Sequence, residues 1–282
     1  MGWQVLLIIS IVTYALSVIL QRILLANNKT DPVALAIVFQ LFTGLLIAIY
    51  AFINGFHLPN FSSNLHNFIY MIFLYTFSNI LIFKSLKLIE ASEFTILFST
   101  RALWTVIAAV ILLKETFSLQ QSMGTLLIFA SVIIVSFKSH KIKLGKGQVF
   151  AFLAAIFFGI AFVNDAFILK NNDVPSYLVF SFTLPGLFIW ILNSRATNKM
   201  KFIFHKEAFL KIILLGFLYA ISAISVFLAY KIGNNAAQIA PLNQTSTILT
   251  VILGVIILKE NNYILRKIFG SIISFLGIIL LK

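Results

Sequence analysis

The chain repeats itself. Residues 111–115 read Ile-Leu-Leu-Lys-Glu, and residues 256–260 read Ile-Ile-Leu-Lys-Glu. Each pentad leads through a short polar linker into an apolar run broken by a glycine, Gly124 in one and Gly270 in the other. The correspondence runs along the whole chain: Gln4-Val5 matches Gln148-Val149, Pro32 matches Pro175, Gly44 matches Gly186, and Tyr75 matches Tyr219. Self-similarity at half the chain length marks a duplicated architecture. In an apolar chain it marks a membrane bundle of two related halves.

The composition makes lipid the solvent. The sequence is 61% hydrophobic and 10% charged, with mean hydropathy +1.04, more apolar surface than 282 residues fold away from water. Segments near the length that crosses a bilayer occur at 3–25, 32–54, 67–87, 91–113, 119–137, 147–169, 175–193, 208–231, 236–258 and 264–281. The expected fold is an all-α membrane protein with ten transmembrane helices as two inverted five-helix repeats, residues 1–138 and 147–282. An odd number of spans per half turns the second half over relative to the first. The Lys-rich stretch Lys138–Lys146 joins them. Trp3–Leu20 lacks a basic flank and a cleavage site and reads as a retained first span. The absence of cysteine excludes disulfides and thiolate metal sites.

The net charge of +13 sits between apolar runs, so it reads as interfacial anchoring and topology rather than nucleic-acid binding. Ten spans place four Lys/Arg residues on the side of the termini and sixteen on the other, with Arg101 inside the membrane. That bias puts the termini outside the cytoplasm.

The Lys-Glu pairs that close the fourth and ninth spans (Lys114-Glu115, Lys259-Glu260), the following Gly124 and Gly270, and Pro241 in the ninth span resemble the drug/metabolite transporter superfamily, EamA type. The resemblance covers essentially the whole chain. It implies a protein of the cell membrane that moves small metabolites by alternating access, with a central cavity between spans of both halves and spans five and ten at the periphery. It also implies termini inside and a basic loop after span two, yet Gly55–His66 carries neither Lys nor Arg. Here the resemblance and the charge count disagree. Span four departs from the pattern, with Ile96 where the other half has Pro241.

Charges inside a bilayer are costly and face protein or water. Arg101 is the leading candidate. With Thr100, Trp104, Glu93 and Ala108 it falls on one broad helical stripe. A guanidinium there can hold a carboxylate or phosphate through two parallel bonds, and Trp104 offers an aromatic wall. The bland alternative is an ion pair with Asp165 or Glu93. In span nine Gln238, Gln244 and Thr245 occupy the places of Glu93, Ser99 and Thr100. Asn164-Asp165 in span six could relay a proton, pair with Arg101, bind an amine, or pair with Lys170. Tyr14, Asn79 and Tyr219 are weaker candidates. The thirty Phe residues read as lipid-facing bulk.

No Walker motif is present, so ATP is not the direct energy source. Coupling would come from a proton, from exchange, or from the substrate gradient alone. The leading reading is a secondary transporter of amino-acid-like or other small organic solutes, working in the bilayer as a monomer or homodimer and without a cofactor. A lipid or lipid-linked sugar flippase is the alternative. An intramembrane enzyme is disfavoured: the four histidines (His57, His66, His140, His205) lie far apart in or beside polar loops, and no HExxH motif exists.

Overall fold

The structure, a computed structural model, describes residues 2–27, 29–113, 118–138, 141–142, 144–201, 203, 205–233 and 242–280. Lys114, Glu115, Gln238 and Pro241 lie outside the described residues. Among the described residues the chain is helical apart from turns, loops and a two-residue antiparallel ribbon, β1 (Phe137–Lys138) with β2 (Lys141–Ile142), in the stretch between the two halves. The helices are α1 (Trp3–Ala26), α2 (Pro32–Ile53), α3 (Phe61–Leu88), α4 (Ala91–Phe98), α5 (Arg101–Leu113), α6 (Leu119–Ser136), α7 (Lys146–Leu169), α8 (Val174–Leu192), α9 (Thr197–Met200), α10 (Lys206–Gly233), α11 (Thr245–Leu258) and α12 (Ile264–Leu280).

Among the described residues six helices contain stretches long and apolar enough to cross a membrane: Trp3–Ala26, Pro32–Ile53, Asn64–Leu88, Lys146–Leu169, Val174–Leu192 and Glu207–Ala229. Leu119–Val135 and Thr245–Leu258 are shorter apolar helices. The expected continuous span 91–113 is instead two helices, α4 and α5, separated at Ser99-Thr100. The reason is local. Ser99 Oγ donates to Ile96 O (2.6 Å) and Thr100 Oγ1 to Leu97 O (2.8 Å), so the hydroxyls compete with the backbone ladder. Backbone bonds there tighten to the three-residue spacing, as in Ala102 N to Ser99 O.

The outer surface is apolar, and the mainly apolar interior also holds many polar side chains. Ile53, Ile111, Leu126, Ile191, Phe217 and Ile256 face outward, while Ser10, Ser78, Ser85, Thr76, Ser246 and Ser274 are buried. In lipid the hydroxyls act as glue between helices that come close together. Along α3, Ser78 and Ser85 lie two turns apart and donate to Ala154 O and Gly147 O of α7. Ser10 of α1 meets Ser222 of α10 at 3.2 Å. The main helix pairings are α1 with α10, α3 with α7, α2 with α8, α4 with α11 and α6 with α12.

Helix starts and ends are written in the sequence. Asp31 caps α2 through Val33 N and Ala34 N, just before Pro32, and Asp173 caps α8 through Ser176 N, just before Pro175. Two cations close helix C-termini reciprocally. Lys87 of α3 donates to Leu25 O and Asn27 O at the end of α1, and Arg22 of α1 donates to Leu86 O and Lys87 O at the end of α3.

Candidate functional site

The break between α4 and α5 places Arg101 at the first residue of α5, inside the bundle. Close packing fixes it there. A methyl group on Gly159 of α7 would lie 2.6 Å from Arg101 O and 2.7 Å from Trp104 Cβ, so only glycine lets α7 approach the start of α5 so closely.

The guanidinium is surrounded by neutral groups. Its Nη1 donates to Tyr14 Oη at 3.3 Å and its Nη2 to Gln244 Oε1 at 3.4 Å. Its Cζ lies 4.7 Å from the ring centre of Phe98, 5.0 Å from that of Phe158 and 5.5 Å from that of Tyr14. Among the described residues no carboxylate lies within salt-bridge distance of it. Long hydrogen bonds and cation–π contacts hold a half-buried cation in place while leaving its bidentate capacity for an anion in hand. The cluster draws on α1, α4, α5, α7 and the residue before α11, and so on both halves of the sequence.

The structure brings Arg101, Tyr14 and Gln244 together. Tyr219 extends the cluster, with its ring 5.9 Å from Tyr14 and 4.9 Å from Phe39. Thr245 opens α11 beside Gln244. Thr100 adjoins Arg101, but its hydroxyl donates to its own backbone. Trp104 packs edge-to-face on Phe152 at 5.7 Å rather than over the guanidinium, and its Nε1 is a buried donor without a hydrogen-bond partner among the described residues. A buried donor without a partner is rare in a finished core. Asn79 donates to Tyr75 O, a local bond within α3.

Asp165 and Glu93 pair elsewhere than expected. Asp165, 3% exposed, accepts hydrogen bonds of 2.5 Å from both Tyr75 and Tyr177, and neither Arg101 nor Lys170 is its partner. Asn164 turns to Asn67 O at 2.8 Å. Glu93 accepts from Gln148 Nε2 at 2.8 Å. Glu93 and Arg101 thus take separate partners on either side of Ser99-Thr100. Asp165 still lies on the α7 side that carries Phe158, two turns or about 10 Å farther along. The Tyr75 ring touches Phe158 edge-on at 5.4 Å, linking the two centres.

The family model for EamA-like transporters matches residues 1–137 and again 145–282. The chain belongs to the EamA-like transporter family. It is therefore a multi-pass protein of the cell membrane from a family of transporters within the drug/metabolite superfamily. No curated protein matches it. A protein of known crystal structure is similar over 96% of each chain, with TM-score 0.65 and 12% identity, a likeness of fold alone.

In this EamA-like transporter the residues missed by sequence reasoning are Phe98 and Phe158. Among thirty Phe residues neither stands out. Phe98 could have been found as the residue one turn before Arg101. Phe158 is brought to the guanidinium only by the crossing of α7 with α5. Tyr177, which completes the Asp165 site, carries no sequence signal beyond being an aromatic hydroxyl in an apolar helix. Gln238 and Pro241 of this transporter lie outside the described residues.

Proposed function

We propose that this EamA-like protein is a secondary transporter that moves small organic solutes bearing an anionic group, amino-acid-like metabolites among them, by alternating access. Arg101 is the anchor. The observation that carries this reading is a half-buried guanidinium held by two long neutral hydrogen bonds and three aromatic rings, with the unpaired Trp104 indole N–H one turn away. A substrate carboxylate or phosphate would exchange those weak bonds for short charge-assisted ones. Tyr14, Gln244 and Tyr219 form the polar and aromatic walls. Thr100 precedes α5 and Thr245 opens α11 beside them.

Asp165 with Tyr75 and Tyr177 is the second centre of this reading. It takes either a substrate amine or the coupling proton. Its position on the Phe158 side of α7 suits a zwitterion, which would present opposite charges to Arg101 and Asp165.

The proposed architecture is ten spans in two inverted halves, 1–138 and 147–282, with α4–α5 as span four. The pairings support it. Exchanging the halves maps α1–α10 onto α7–α3 and maps α2–α8, α4–α11 and α6–α12 onto themselves. Such a self-consistent set is what a pseudo-two-fold axis in the membrane plane requires.

The test is thermal stability of the purified protein against amino acids, amines, nucleosides and sugar phosphates, in the parent and in Arg101→Ala. A ligand that binds only the folded state raises the melting temperature. Carboxylate- or phosphate-bearing compounds are expected to raise it in the parent and not in the variant. A shift that persists in Arg101→Ala would make Arg101 a structural cation, and shifts with amines alone would move the site to Asp165. Uptake into liposomes of a soluble compound so identified distinguishes solute transport from lipid flipping.

A further inference from the structure

The repeated pentads end in a glutamate whose role the sequence leaves open, and the structure places Glu260 in an unusual position. Its carboxylate leaves its own helix and caps α4, in the other half of the chain. It accepts from Ala91 N at 2.7 Å, Ser92 N at 3.0 Å and Ser92 Oγ at 2.5 Å. α4 has no side-chain cap of its own at Glu90. The chain after α11 turns sharply to deliver the group, with Lys259 (φ 56°) and Tyr263 (φ 53°) both left-handed, a conformation that costs L residues about 1–2 kcal/mol each. A side chain at Gly254 would come 2.9 Å from Glu260 Oε2, so the space that receives the carboxylate depends on glycine.

The same turn grips α4 twice more. Asn262 Nδ2 donates to Glu90 Oε1 at 2.9 Å. Lys267, 4% exposed, donates to the Glu90 carboxylate and to Glu260 O. Beside this clamp lies a cavity of about 480 Å3, lined among others by Arg22, Glu90, Glu93, Lys146, Gln148 and Arg266. It opens at the face where α1 and α3 end and α7 and α12 begin. All eight residues of α4 are buried, and its far end is the break that carries Arg101.

We propose that Glu260 is a positioning residue. It latches α4 and, through it, Arg101, and its release opens the Arg101 site to the cavity at this face. A short helix pinned at one end and jointed at Ser99-Thr100 at the other moves as a rigid lever. A charged cap on a helix start is short-ranged, so the contact is made or lost rather than stretched. The functional meaning rests on the transporter reading; the latch itself does not.

The chain has no cysteine, so one introduced cysteine reports accessibility without background. Thr95→Cys lies on α4, 5% exposed, where the native hydroxyl has no partner among the described residues. In proteoliposomes a membrane-impermeant maleimide is expected to label it slowly in the parent. In Glu260→Ala labelling is expected about tenfold faster, as for a tenfold larger open population. Glu260→Gln and Ser92→Ala, which remove fewer bonds, are expected to give smaller rises and carry the test if Glu260→Ala does not fold. Ala161→Cys, buried in α7 away from the latch, is expected to stay unlabelled throughout. Unchanged labelling at Thr95→Cys in folded variants overturns the proposal. So does a rise at Ala161→Cys, which marks general loosening. For a transported solute, latch variants are expected to change the turnover rate more than KM. Faster labelling without transport of any solute keeps the latch and removes the transport reading; transport with unchanged labelling does the reverse.

Discussion

At the scale of single residues, Arg101 and Asp165 keep contrasting company. Arg101 has rings and long neutral bonds; Asp165 has two short bonds from tyrosine hydroxyls. Losing hydrogen bonds to a charged group costs about 1.5–3 kcal/mol, so Arg101→Ala is expected to weaken solute affinity about 10- to 100-fold while the variant still folds. Binding isotherms on the solute found in the thermal screen check this; equal affinity in parent and variant rejects the anchor role. Tyr177→Phe removes one of the two donors to a buried carboxylate and is expected to destabilise the fold by about 1–3 kcal/mol. Adding Asp165→Asn is expected to recover part of that loss, because the group left behind is then neutral. A double-mutant cycle on melting temperature decides it, and strictly additive losses would mean that the tyrosines do not serve Asp165.

At the scale of elements, caps and crossings set the stability. Asp31 is partly buried, which by itself raises its pKa, but the Lys199 hydrogen bond and charge and the Ala34 and Val33 amides outweigh that and hold it below the usual carboxylate value. A lowered folded-state pKa means that this contribution is complete above the unfolded carboxylate range and is lost as pH falls through the folded one. The melting temperature is therefore expected to fall on acidification, and less steeply in Asp31→Asn, which keeps the cap but not the charge; identical slopes would exclude Asp31. Gly159→Leu is expected to push α7 off the start of α5 and abolish ligand-induced thermal shifts even where the protein remains folded, because the displaced backbone is that of Arg101 itself. Ligand shifts of parental size in that variant would show that the α5–α7 crossing does not set the site.

At the scale of the whole molecule, the distribution of basic residues sets the expected topology. Arg22 and Lys87 are engaged in capping helix ends, so part of the basic bias is structural rather than topological. The remaining bias still runs the same way, and a cytoplasm-dependent reporter on the C-terminus is expected to stay dark. A bright reporter would restore the orientation implied by the family resemblance. Either result fixes which side of the membrane the Glu260 latch faces.

The sequence by itself determined the membrane class, the family and the duplication, because hydropathy and repetition are additive along a chain and need no partner to be read. It also determined helix starts such as Asp31-Pro32, whose physics is local. Only the tertiary structure decided the company of each polar residue. The split of span four follows from two hydroxyls bonding back to carbonyls, a choice that apolar neighbours on both sides conceal. Phe158 at Arg101, Tyr177 at Asp165 and Glu260 at Ala91-Ser92 join positions far apart in sequence. Those pairings exist because close helix packing in lipid brings particular faces together, and a face is a property of the fold.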